Sequence, residues 1–146
     1  MNANKTQSNH HFNFSISVET TIEKVWETLI DAKNWKNWDT ELKSAELNEP
    51  FLEGAKGTLV PMKGPKLDFY ITEIIANQTY TFRTKIPLGW LEITRTLTPI
   101  NNLIQFNDDI KFTGISKRFF GFLLGGGFRK VLPSVMENFK KIAESR

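Results

Sequence analysis

The chain has no cysteine. Disulfides and thiolate metal sites are therefore excluded, and a reducing compartment, hence a cytoplasmic location, is the expectation. Histidine is almost as scarce: His10 and His11 stand side by side near the N-terminus and no other is present. Histidine is the commonest general base near neutral pH, so acid–base chemistry inside the domain would fall to carboxylates or tyrosine. Neighbouring side chains in a strand diverge, so the pair makes a poor metal site and no metal is expected. No Ser-His-Asp set is present and no G-x-G-x-x-G follows a strand pattern, so no cofactor is expected either.

Long apolar runs are lacking too. A bilayer-spanning helix needs roughly 18 apolar residues or more, and no stretch comes close. The opening MNANKTQSNHH has no apolar segment of the signal-peptide kind. Residues 1–10 are expected to form a disordered tail and residues 11–146 a single domain. The sequons at Asn4, Asn13 and Asn77 then read as chance matches. Charge of one sign is in small excess, +3 over 146 residues. The cations Lys33, Lys36, Lys43, Lys63, Lys66 and Lys85 are scattered, so no nucleic-acid partner is expected.

What is present is strand patterning. Phe12, Phe14, Ile16 and Val18 alternate with polar residues, the mark of a strand with one buried face. Thr20 and Glu23 have capping-box spacing and open a short helix carrying Ile22, Val25, Trp26 and Leu29. Asp31 to Asp39, DAKNWKNWD, reads as a short helical turn, with Trp38 as its anchor on the sheet. Strands are predicted over 42–48, 55–63, 67–76, 79–86, 90–98 and 103–113, separated by turn chemistry and hence antiparallel. A helix follows over about 116–145, with Phe128, Val131 or Leu132, Val135, Phe139 and Ile142 on one face. The fold class is α+β: a curved antiparallel sheet of about seven strands around a long C-terminal helix.

The stretch FFGFLLGGGFRKVLP, Phe119 to Pro133, interrupts that helix. It is too short for a membrane span. It lacks the Lys and Ser/Thr of a phosphate loop. Three glycines, each costing about 1 kcal/mol in a helix interior, and Pro133 predict a kinked helix opening in two pieces. Lys117, Arg118, Arg129 and Lys130 flank it, which keeps transient contact with a membrane surface open.

Each strand's apolar face carries one polar exception, Glu73, Thr84, Arg95 and Asp108 in turn, of which Glu73 is expected near a strand end in water. A turn at 99–102 pairs Arg95 with Phe106 and sets Asp108 diagonally beside it. A turn at 87–90 pairs Arg95 with Phe82, and Thr84 with Ile93. A charge on a buried face is costly unless paired. Arg95 is then either half of a satisfied ion pair with Asp108, helped by the rings, or the polar end of a ligand cavity.

The order and spacing of FSISVETTIEKVWETLIDAKNWKNWD, EGAKGTLVPMKG, LDFYITEII, the FTG at Phe112 to Gly114, and LPSVMENFKKIAE resemble the START-like helix-grip superfamily (SRPBCC). The bacterial polyketide cyclase/dehydrase-like group is the most similar branch. The resemblance covers residues 12–144. It implies a cavity between sheet and C-terminal helix for a small hydrophobic or amphipathic ligand, such as a lipid or polyketide-like molecule. The candidate ligand-binding residues are Phe82, Thr84, Trp90, Arg95, Phe106, Asp108, Phe112, Phe119, Leu123 and Phe128. The alternative is a cyclase/dehydratase, with Asp108 and Tyr80 as catalytic candidates. A third reading, a co-chaperone-like interaction module, requires an apolar patch on the sheet's outer face, where the residues are mostly polar.

Overall fold

The computed structural model describes residues 7–146. The first six positions of the expected tail, with the Asn4 sequon, lie outside the described residues. Residues 7–10 have definite places. Ser8 bridges His11, and the Phe112 amide donates to the His10 carbonyl at 2.8 Å.

The strands are β1 (His11–Val18), β2 (Leu42–Leu47), β3 (Lys56–Pro61), β4 (Leu67–Ile75), β5 (Thr79–Ile86), β6 (Gly89–Ile100) and β7 (Leu103–Gly114). They form one seven-stranded antiparallel sheet in the order β1-β7-β6-β5-β4-β3-β2. Helix α1 (Ile22–Ile30) and a 3₁₀ segment (Ala32–Asn37) lie between β1 and β2, and α2 (Lys117–Phe120) and α3 (Gly126–Glu144) follow β7. The cap of α1 is Thr21, one residue later than its spacing suggests, with its hydroxyl accepting from the Lys24 amide. The core lies between the sheet and the helices. Phe69, Phe106 and Ile110 of the sheet are buried there with Leu29, Leu132, Met136 and Phe139 of the helices.

Two hairpins set the register of the central strands. Pro87 and Leu88 alone join Ile86 to Gly89, and Asn101 and Asn102 alone join Ile100 to Leu103. Both asparagines have positive φ, 49° and 66°, as a tight primed turn requires. The turns are therefore tighter than the sequence pattern indicates, and the pairing is two residues away from the expected one. Arg95 faces Tyr80 and Asp108 directly, rather than Phe82 and Phe106, and Thr84 faces Leu91. A slip of two residues keeps every side chain on its face, so the expected inner face survives. In β4 a bulge between Ile71 and Glu73 changes the face. It turns Glu73 out to solvent and sets Ile74 opposite the buried Tyr80.

The glycine-rich segment does not break the helix. Gly121, Gly125 and Gly126 all hold right-handed helical dihedrals, and Gly121–Gly125 is a π-helical stretch joining α2 to α3. The glycines act by close approach. A Cβ on Gly121 would meet the Cβ of His10 at 2.6 Å, and one on Gly125 would run into the Asn9 carbonyl oxygen. Residues 9 and 10 thus cross the helix at these glycines, and the two expected pieces, α2 and α3, are joined by a widened turn.

Candidate functional site

The antiparallel register builds one row across the inner face: Phe14, Asp108, Arg95, Tyr80 and Ile74, from β1, β7, β6, β5 and β4. The row places a guanidinium between a carboxylate and a phenol. Arg95 and Asp108 are each 2% exposed and Tyr80 is fully buried. Arg95 Nε donates to Asp108 Oδ1 at 3.4 Å and Arg95 Nη1 to the Tyr80 hydroxyl at 2.9 Å. The Tyr80 hydroxyl in turn donates to the Leu29 carbonyl at 2.8 Å, which ties the sheet to α1.

Aromatic rings enclose the charge. The Arg95 guanidinium carbon lies 4.9 Å from the ring centres of Trp35 and Trp38, 5.1 Å from Phe82 and 5.9 Å from Tyr80. The 3₁₀ segment delivers Trp35, and Trp38 caps its end. Trp35 is locked by its indole N–H donating to the Leu29 carbonyl at 2.7 Å. Trp38 is 1% exposed and packs edge-on against Phe139 of α3 at 5.1 Å. Its indole nitrogen is buried with no hydrogen-bond partner among the described residues. A donor left so costs about 1–3 kcal/mol.

The protonation states follow from burial. Loss of water works against the Arg95 charge, but Tyr80, Asp108 and Asp39 around it more than offset this and hold the guanidinium protonated. Burial pushes Tyr80 up to about 12, with Arg95 opposing, so the phenol keeps its proton at neutral pH. Burial also raises Asp108, again with Arg95 opposing. Asp39, 6% exposed, is raised to about 6 by burial, against the pull of Arg95 and of the Glu41 amide that donates to it at 3.0 Å. The site thus has two buried carboxylates and one buried cation.

Asp39 was absent from the sequence candidates. It sits in a polar, non-alternating segment, where no pattern marks it as buried. Phe82, Arg95, Phe106, Asp108 and Phe112 come together on the inner face, all buried. Thr84 joins them, but its hydroxyl is already committed to the Asp68 carbonyl. Phe128 is half-buried against Phe12, ring centres 6.2 Å apart. The other three candidates lie elsewhere. Trp90 is on the outer face, packed edge-on against Tyr70 with Arg83 stacked 4.1 Å over it. It borders an open outer cleft of about 580 Å³ with Glu53, Thr72 and Arg83. Phe119 and Leu123 are 61% and 58% exposed. His11 belongs to β1 and meets Asp109 at 3.0 Å.

A second cleft, of about 600 Å³, is lined by Trp26, Ile30, Phe51, Leu52 and Ile74, with Glu53 and Ala76. Sequence pattern gave no sign of it, because α1, the loop before β3 and the bulged end of β4 build it jointly. Its back wall leads to the polar row: Phe51 and Trp26 pack edge-on against Tyr80 at 4.9 and 5.8 Å.

Solved structures repeat the fold at low identity. A protein from Mesorhizobium loti superposes with a TM-score of 0.74 at 16% identity, over 92% of this chain and 97% of that one. A protein from Thermus thermophilus gives 0.72 at 12%, over 92% and 97%. Ara h 8.0201 gives 0.71 at 10%, over 94% of this chain and 99% of that one. No curated protein matches in sequence. The family model described as polyketide cyclase / dehydrase and lipid transport matches residues 9–144, nearly the whole chain, and the protein belongs to that family.

Proposed function

We propose that the protein binds a small hydrophobic or amphipathic molecule, lipid-like or polyketide-like, between the sheet and α3. The ligand's hydrogen-bond acceptor meets Trp38 and Arg95. The observation that carries this reading is the orphaned indole N–H of Trp38 beside a buried guanidinium. A carbonyl, carboxylate or hydroxyl brought to that point satisfies a donor that the described residues leave bare. The family's lipid-transport description agrees with such a ligand.

Apolar walls supply the affinity. Phe82, Phe106 and Phe112 are already buried, so the gain comes from the ligand's own apolar surface and the half-buried Phe128, at about 25 cal/mol per Å² before the costs of association. Asp108 positions Arg95. The cleft at Trp26, Phe51 and Leu52 is the entrance, and a ligand passing it displaces rings now packed on Tyr80. Of the two catalytic candidates, Tyr80 retains its proton and spends it on the Leu29 carbonyl, which speaks for binding over catalysis by this phenol. A phenol so placed is no general base.

The test is a fluorescence titration with dodecanoic acid and dodecanol at neutral pH, read through the tryptophans. The acid should bind more tightly, and Trp38→Phe should weaken it several-fold. If neither compound binds, or if Trp38→Phe leaves the affinity unchanged, the reading is wrong.

A further inference from the structure

The end of the molecule around α2 exposes apolar side chains that the fold does not use. Ile115 is 89% exposed, Phe122 82%, Phe119 61%, Leu123 58% and Leu124 49%. Their placement is set by the backbone. Residues 117–125 run helically, so Phe119, Phe122 and Leu123 fall at i, i+3 and i+4 and share a face. The hairpin residue Leu88, 69% exposed, adds to it, since its carbonyl lies against Gly114, next to Ile115. Soluble proteins seldom leave so many large apolar side chains uncovered in one place.

Cations rim the same surface. Lys117, Arg118, Arg129 and Lys130 are exposed. From Ile110 to Met136 the chain has no Asp or Glu. The effect is felt locally: His10, packed on Gly121, is held below its ordinary range by burial and then by Lys117 and Arg118. Neither Lys117, Arg118 nor Lys130 makes an ion pair among the described residues, and Arg129 reaches only the Asn9 side chain, at 3.4 Å.

We propose that this pole docks on the surface of an anionic lipid bilayer, with Phe119, Phe122 and Leu123 in the interface and the four cations at the headgroups. An apolar helical face bordered by Lys and Arg is the composition that binds such a surface. The charge argues against a second copy as the occupant. Two such poles facing each other would oppose Lys117 and Arg118 to their like with no carboxylate between. The segment is far too short to span, and no helix among the described residues is long and apolar enough to cross a membrane. Docking is independent of the ligand reading, since none of its residues touches the Arg95 row.

The experiment is co-sedimentation of the full chain with phosphatidylcholine vesicles, with and without phosphatidylserine. Binding is expected to the anionic vesicles, at least about tenfold stronger than to neutral ones, and to be reversed by salt. Phe119→Ser with Phe122→Ser should abolish it, and Lys117→Ala with Arg118→Ala should reduce it about tenfold or more. All four positions are exposed, and unchanged circular dichroism verifies the fold of each variant. Failure to bind anionic vesicles overturns the proposal. So does binding that survives the double serine variant, or sedimentation equilibrium showing a wild-type dimer that this variant abolishes.

Discussion

Replacing Arg95 by methionine keeps much of the side chain's apolar length and removes its charge. The Arg95 guanidinium is the buried positive partner of Asp108, and its charge also offsets the burial of Asp39. Its loss strands Asp108 at 2% exposure and Asp39 at 6%. Breaking a buried pair by deleting one member costs about 3–5 kcal/mol. The bond to the Tyr80 hydroxyl goes as well. Against a total stability of about 5–15 kcal/mol, the variant should be folded but fragile. The loss should depend on pH. Arg95 lowers both carboxyl pKa values, so without it both rise further. A carboxyl raised in the folded state contributes stability below its unfolded pKa and loses it as pH rises through the folded value. Arg95→Met should therefore be penalised more at pH 8 than at pH 5. Adding Asp108→Leu removes one stranded charge and should restore a large part of the loss. The assay is urea denaturation of wild type, single and double variants at both pH values. A single-variant loss under about 1 kcal/mol, or a double variant no more stable than the single, would show that Arg95 and Asp108 are not coupled as a buried pair.

Asp39→Asn should flatten the wild-type pH profile in a defined window. The folded value is about 6 against an ordinary 3.8, so this group's contribution is complete below pH 3.8 and is lost as pH rises to about 6. The difference corresponds to about 3 kcal/mol, to be read from denaturation midpoints across that range. Gly127→Ala should raise the melting temperature, since its Cβ meets nothing within 4 Å, and alanine gains about 1 kcal/mol in a helix. Gly125→Ala should lower it, since the Asn9 carbonyl blocks the methyl; equal shifts for the two would show that the crossing of residues 9 and 10 is not what the glycine serves.

The fold was legible because the alternation in β1, β5, β6 and β7 is strict, and a hairpin slip of two residues preserves it. The burial of Arg95 and Asp108 was legible for the same reason. Their direct opposition was not, because it depends on asparagines taking left-handed φ in a two-residue turn. Glu73 is exposed, as expected of a residue near a strand end, but the bulge that turns it out inserts a residue that no period reveals. Asp39 and the orphaned nitrogen of Trp38 come from a 3₁₀ segment and its end, where so few residues have no usable period. The glycines looked like weakness in a helix. Their use becomes visible only when residues 9 and 10, distant in sequence, are seen lying across them.

Whether the interior takes a ligand is open to direct measurement by native mass spectrometry of the protein from its source host. A bound small molecule of one-to-one stoichiometry is expected, released by denaturation and retained less by Trp38→Phe. Bare protein mass alone, together with no uptake of dodecanoic acid by the purified chain, would mean that the interior is no ligand site.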